Sequence, residues 1–190
     1  MTLRTTTGCA MALFLLSSAC SDGTTITPRA AVRISVNAPG EPGGVCQFGP
    51  HEAYVGGDAA SKLPDAYNFG TRLVDEENGT SISCRVAGSE TFRIRGSARR
   101  GGVTLSVTGV VPNAEWDDNQ TGEGEVQVVT SGTVGQSLVP IEGKPCTLRP
   151  VQVAPGRIWA QYNCTDMEAS RQQNTFCSST GFFVFENCDR

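Results

Sequence analysis

The chain has 190 residues, of which 19 are acidic and 15 are basic, giving a formal net charge of −4. Nucleic-acid binding depends on clustered lysine and arginine, so this mildly acidic composition argues against nucleic acid as a partner. The length suits one domain that is large enough to bury its own core.

The first 19 residues have the three parts of a secretory signal peptide. Arg4 supplies the positive start, an apolar run covers residues 8–16, and small residues occupy 17–19. The run is too short for a membrane anchor, because a helix needs roughly 20 apolar residues to cross a bilayer. We therefore expect residues 1–19 to be removed on export, which leaves 14 basic and 19 acidic residues and a net charge of −5.

Cys20 follows the small residues, and the segment Leu16-Ser17-Ser18-Ala19-Cys20 resembles the lipobox of bacterial lipoproteins. In that pattern a leucine and two small residues precede a cysteine that becomes acylated; here the leucine lies one place earlier than the pattern has it. The resemblance covers residues 1–20 only. It implies several acyl chains on Cys20, which hold a protein stably on a membrane, whereas one chain binds reversibly. Signal cleavage near Ala19 without acylation is the alternative, and it would leave the protein periplasmic or extracellular.

A short polar segment separates the anchor from the domain. Residues 21–30 are mostly small or polar, so we assign residues 20–30 as anchor cysteine and tether. At up to about 3.5 Å per residue, the tether would hold the domain some 30 Å from the membrane. Residues 31–190 contain no repeat and no second linker, so we expect them to form a single domain.

Apolar and polar residues alternate with a period of two along this domain, which is typical of half-buried β-strands. Glycine and proline residues, 22 and 10 in number, supply turns between these segments. Eight or nine short strands of this kind predict an all-β fold, an antiparallel β-sandwich or jelly roll. The predicted strands are residues 31–36, 81–86, 90–96, 103–108, 125–130, 136–141, 147–153, 157–164 and 181–187. A short helical turn is predicted after Thr165, because Thr165 and Glu168 have the spacing of a capping box.

Two charged clusters invite a functional interpretation. Four arginines, Arg93, Arg95, Arg99 and Arg100, form a basic cluster that we interpret as the solvated end of a hairpin.

An acidic loop further along places oxygen-bearing side chains at alternating positions, as a calcium loop does: Asp117, Asn119, Thr121 and Glu123. However, Val128 stands at the twelfth position, where an EF-hand needs a bidentate glutamate. We therefore predict a solvated hairpin loop that binds no metal.

One predicted strand carries a candidate ligand face. Alternation over residues 157–164 places Trp159, Gln161 and Asn163 on one face and Tyr162 on the other. An aromatic ring beside two amides is what a glycan-binding sheet would present, since the ring stacks on a sugar and the amides bond hydroxyls. The alternative is that Trp159 packs in the core or beneath a loop, because tryptophan is usually largely buried.

The sequence contains no recognisable catalytic or cofactor motif. His51 is the single histidine and lies in a loop-like stretch, which is typical of a surface residue rather than a general base. No nucleophile elbow, metal motif or phosphate loop occurs, and we predict no cofactor. We expect an exported, lipid-anchored surface or envelope protein with a non-enzymatic role, binding a glycan or protein or serving passively. The alternative is a secreted hydrolase of envelope or extracellular polysaccharide that uses acidic-loop carboxylates.

The cysteines of the mature domain predict disulfides. Apart from Cys9 and Cys20 the chain has six, an even number in an exported protein, with none of the close spacing of zinc ligands: Cys46, Cys84, Cys146, Cys164, Cys177 and Cys188. A hairpin centred on Pro155 would place Cys146 opposite Cys164. We then expect Cys177 to pair with Cys188 and Cys46 with Cys84. The main alternative joins Cys164 to Cys177.

Overall fold

The computed structural model describes residues 26–38, 45–56, 72–114, 119–171 and 175–190. The predicted signal peptide and Cys20 lie outside the described residues. The first strand begins at Arg29, and Ala30 is fully buried. The first strand therefore begins two residues before residue 31, where the domain was expected to start.

The described residues form eleven β-strands and one short 3-10 turn, Glu77–Gly79. None of them belongs to a helix that is long and apolar enough to cross a membrane. The strands are β1 (Arg29–Asn37), β2 (His51–Val55), β3 (Leu73–Val74), β4 (Ser81–Gly88), β5 (Thr91–Arg100), β6 (Val103–Pro112), β7 (Gly122–Val129), β8 (Ser137–Pro140), β9 (Cys146–Ala154), β10 (Arg157–Ala169) and β11 (Phe176–Glu186).

All eleven strands belong to one antiparallel sheet with the order β2-β1-β11-β10-β8-β7-β6-β5-β4. β9 pairs with both β10 and β7, so β8 and β9 share the space between those two strands, and β3 pairs with β1. The sheet folds over so that β1 and β2 lie against β5 and β6. The predicted all-β, sandwich-type fold is confirmed, with more strands than the eight or nine expected.

The core lies between the two halves of the folded sheet. Alternating residues of each strand point into it, and Phe92, Leu105, Phe183 and Phe185 are almost completely buried there. A Cβ at Gly96 would lie 2.6 Å from the ring of Phe185, so glycine lets β5 approach β11 across the core. Burial of such large side chains contributes roughly 1.5–3 kcal/mol each.

Three disulfides crosslink the sheet, as predicted, but only one of the expected pairings is confirmed. Cys146 is bonded to Cys164 across the β9–β10 hairpin. The other two predicted pairs, Cys46 with Cys84 and Cys177 with Cys188, are wrong. The structure contains Cys46–Cys177 and Cys84–Cys188, which join segments 131 and 104 residues apart. Both bonds follow from the sheet order, because β11 brings residues 177 and 188 to opposite ends of the fold.

A β-bulge sets the register that aligns Cys146 with Cys164. The two strands meet in a two-residue turn, Pro155-Gly156, with Ala154 opposite Arg157. Continued without interruption, that register would place residue 147 opposite Cys164. Instead the pairing shifts by one residue at Val151, so that Pro150 faces Ala160 and Thr147 faces Asn163. A bulge tolerates Pro150, which cannot donate a ladder hydrogen bond.

One further expectation about secondary structure is wrong. The helical turn predicted after Thr165 does not form, because β10 continues through it to Ala169. Past a bulge, Met167 and Glu168 pair with β11 on one side and β8 on the other. These ladder hydrogen bonds on both sides outweigh a local capping signal worth about 1 kcal/mol.

Candidate binding groove

A shallow groove of about 370 Å³ crosses the outer face of β1, β11 and β10. We call it the polar groove. Its lining is polar apart from one aromatic ring at its rim and one at its floor: Arg33, Ser35, Gln161, Tyr162, Asn163, Thr180, Gly181 and Phe182. Two of the three residues predicted as a ligand face, Gln161 and Asn163, lie in it.

Strand register explains why these side chains gather. Phe182 of β11 lies directly opposite Arg33 of β1 and Gln161 of β10. Two residues along, Thr180 lies between Ser35 and Asn163 in the same way. Residues of one face recur every second position, so the two rows point outward together.

The floor of the groove depends on a glycine. A Cβ at Gly181 would lie 2.0 Å from the Arg33 carbonyl oxygen and 2.8 Å from Cε1 of Tyr162. Any larger residue would push β1 away or displace the tyrosine ring. Tyr162 is buried on the core side, as alternation predicted, and its hydroxyl lies 3.1 Å from the Ser179 hydroxyl. Burial raises the pKa of Tyr162, so the ring remains a neutral floor.

Charges beside the groove are paired. Arg33 Nη2 donates to Glu52 Oε1 at 2.5 Å, and the Tyr54 hydroxyl donates to the other oxygen of the same carboxylate. These bonds from Tyr54 and Arg33 lower the pKa of Glu52, and the carboxylate raises the pKa of both partners. Arg33 is thereby positioned at the groove edge with its charge balanced.

The arrangement suits an uncharged ligand rich in hydroxyl groups. The amides of Gln161 and Asn163 each offer a donor and an acceptor, as the hydroxyls of Ser35 and Thr180 do. The Phe182 ring is half-buried in the same row and presents an apolar edge. A ligand in this groove would meet several convergent hydrogen-bonding groups beside one aromatic contact.

Trp159 does not belong to this surface, contrary to the prediction of a ligand face that included it. It points to the outer side of the sheet but is only 5% exposed and packs with Ala31, Val151 and Val184. The alternative interpretation, a packed tryptophan, is therefore the right one. Its indole Nε1 has no hydrogen-bond partner among the described residues.

The acidic-loop candidates do not converge where they are described. Asp117 lies outside the described residues, and Asn119 and Thr121 are exposed. Strand β7 begins at Gly122, so Glu123 is a strand residue and faces Val110 of β6. No group of three or more histidine, cysteine, aspartate or glutamate side chains suited to a metal occurs in the described ranges.

His51 is a structural residue and not the loop histidine that the sequence suggested. It opens β2 and is half-buried. Its Nδ1 donates to the Gly49 carbonyl at 2.9 Å, and its Nε2 lies 2.6 Å from the Thr130 hydroxyl. Because a carbonyl only accepts, Nε2 is the acceptor in the neutral ring. Thr130 is fully buried, so this hydroxyl cannot reach a substrate.

The basic cluster is distributed differently from the predicted hairpin end. Arg99 and Arg100 do flank the β5–β6 turn, but Arg93 and Arg95 lie mid-strand on the outer face of β5. Sequence reasoning also missed the residues that β2 contributes beside the groove, Glu52 and Tyr54. The inward alternation of Ala53 and Val55 was the available signal, but two residues are too few to predict a strand.

No family model, characterised protein or solved structure matches the chain. The polar groove and the three disulfides are therefore the features on which a functional conclusion rests.

Proposed function

We propose that the chain is an exported envelope protein, held on a membrane by a lipid on Cys20, that binds a hydroxyl-rich ligand in the polar groove without catalysis. The observation that carries the binding proposal is the convergence of Gln161 and Asn163 with Arg33 and Phe182 in one open groove. A glycan is the ligand class that this chemistry fits best.

Export is supported by the cysteines. All six cysteines of the described domain are in disulfides, which form and persist in oxidising compartments. The signal-like N-terminus and the lipobox-like segment ending at Cys20 agree with that compartment.

Binding is favoured over hydrolysis by what lines the groove. Glycoside hydrolysis needs two carboxyl groups on either side of the scissile bond. None of the described residues that line the polar groove has a carboxylate, and the nearby Glu52 is engaged by Arg33 and Tyr54. A ligand there would meet hydrogen-bonding groups but no acid and base pair.

Titration of soluble envelope polysaccharide fragments into the purified protein tests the groove. We expect Gln161→Ala/Asn163→Ala to weaken binding roughly tenfold or more, since each lost hydrogen bond contributes about 1 kcal/mol. The matched control is Asn113→Ala/Gln127→Ala, which removes the same two amides from exposed positions outside the groove. Equal affinity of the two double variants would reject the groove as the site, and new reducing ends would point to hydrolysis.

Fractionation tests the anchor independently. We expect Cys20→Ala to move the protein from the membrane fraction to the soluble fraction while its melting temperature is unchanged. A variant that fractionates with the membrane as the native form does would show that acylation of Cys20 does not hold it.

A further inference from the structure

A second exposed surface lies on the opposite half of the sheet. The outer face of β4 and β5 carries four exposed arginines, Arg85, Arg93, Arg95 and Arg99, which we call the arginine face. Arg93, Arg95 and Arg99 follow one another along β5 over about 20 Å, at roughly 3.4 Å per residue. Arg85 of β4 lies directly opposite Arg95.

Fold stability does not account for this arrangement. Like charges directly opposite each other on a sheet destabilise the pair. None of the four arginines joins an ion pair with another described residue; those present involve Arg33, Arg72 and Lys144. Three sets of acidic residues lie around this face: Asp189, bridged to Arg85 through the backbone; Glu90, immediately before β5; and Glu123 and Glu125 of β7, in the cross-strand rows of Arg93 and Arg95 but two strands from β5.

The N-terminal segment joins the domain at the edge strand β4, which carries Arg85 of the arginine face. Pro28 accepts a hydrogen bond from the Asp75 backbone, and the Asp75 carboxylate accepts one from the Ile82 backbone of β4. On the other side, Asn187 donates to the Thr27 carbonyl, and the next residue, Cys188, is bonded to Cys84. The chain therefore enters the domain at the β4 edge, where Ile82 lies three residues from Arg85 along the strand.

We propose that the arginine face docks on the anionic lipid surface of the membrane to which Cys20 holds the protein. The seven residues from Ser21 to Thr27 reach at most about 25 Å, which keeps the β4 edge close to the headgroups. Arginine near an anionic membrane is attracted to lipid phosphates. Val110, 44% exposed and directly opposite Arg93, adds an apolar side chain to the same surface. The anchor belongs to the proposed function, but the docking surface is testable without it.

Vesicle sedimentation with the full-length Cys20→Ala chain tests this surface in the absence of the acyl chains. The probes are vesicles of phosphatidylcholine alone and vesicles with 30% phosphatidylglycerol. We expect preferential binding to the anionic vesicles that disappears in 0.5 M NaCl, because salt screens exposed charges. The double variants below carry the same N-terminal segment as the Cys20→Ala chain, so an uncleaved signal peptide contributes equally to all three proteins.

Two matched double variants locate the binding surface. Arg93→Gln/Arg95→Gln should lower the partition coefficient on anionic vesicles roughly 30-fold. Lys144→Gln/Arg171→Gln removes the same charge away from the arginine face. It should leave the partition coefficient within about threefold of that of the Cys20→Ala chain. Equal losses in both variants, no preference for anionic vesicles, or binding only to a soluble anionic polysaccharide would overturn the proposal. Failure of this vesicle test would not affect the proposed lipid anchor, which is tested separately by whether Cys20 is acylated.

Discussion

Removal of the Cys84–Cys188 bridge should destabilise the domain more than removal of the hairpin bridge Cys146–Cys164. The first bond spans 104 residues, but with Cys46–Cys177 intact it closes a loop of roughly 50 residues. The chain-entropy relation gives about 4 kcal/mol for that loop and about 3 kcal/mol for the 18-residue hairpin loop. We therefore expect Cys84→Ala/Cys188→Ala to unfold at lower denaturant concentration than Cys146→Ala/Cys164→Ala.

The assays are urea unfolding, thermal unfolding and thiol titration of the two double variants. At roughly 2–4 °C per kcal/mol for a chain of this size, melting temperatures should fall by about 8–16 °C and 6–12 °C. The Cys84→Ala/Cys188→Ala variant should contain no free thiol in its domain, because Cys46 and Cys177 remain bonded to each other. Two free thiols in that variant, or a smaller loss of stability than in the hairpin variant, would refute this account of the bridges.

Three further predictions concern Glu52, His51 and the acidic loop. Native protein should exceed Glu52→Gln in stability by less than about 1 kcal/mol at pH 7. In urea titrations this excess should decrease as the pH falls below 4.5, because the bonds from Tyr54 and Arg33 lower the Glu52 pKa below that ordinary value. His51→Ala should lower the free energy of unfolding by about 1–3 kcal/mol, since it leaves the buried Thr130 O–H without an acceptor, although the oxygen still accepts from the Thr133 amide; an unchanged value would contradict the structural role. Millimolar calcium should leave the melting temperature unchanged, and a rise abolished by Asp117→Ala would show that the acidic loop binds it.

Much of the fold could be predicted because alternation of apolar and polar residues is a local signal. All nine predicted strands overlap strands of the structure, from β1 to β11. β2 and β3 were missed because they are short and gain their stability from pairing with β1. The helical turn predicted after Thr165 was wrong for the same reason, because pairing with the distant strands β8 and β11 decides the conformation there.

Features that depend on which strands are neighbours could not be read from the sequence. The Cys146–Cys164 bond lies within one hairpin and was predictable, even though the bulge at Val151 was not. Cys46–Cys177 required knowledge that the segment before β2 lies beside the start of β11; the Phe176 amide donates to the Val45 carbonyl there. Likewise, alternation placed Gln161 and Asn163 on an outer face, but the burial of Trp159 depends on Ala31 and Val184 from other strands.

Intact-mass and peptide mass spectrometry of the protein recovered from membranes tests the central proposal most directly. If the domain is exported and lipid-anchored, we expect the mature chain to begin at Cys20 and to carry acyl groups on that residue. Its mass should also be lower by six hydrogens, because it contains three disulfides. A mature chain that begins at Ser21 or later, or one that retains residues 1–19 with free thiols in the domain, would contradict it.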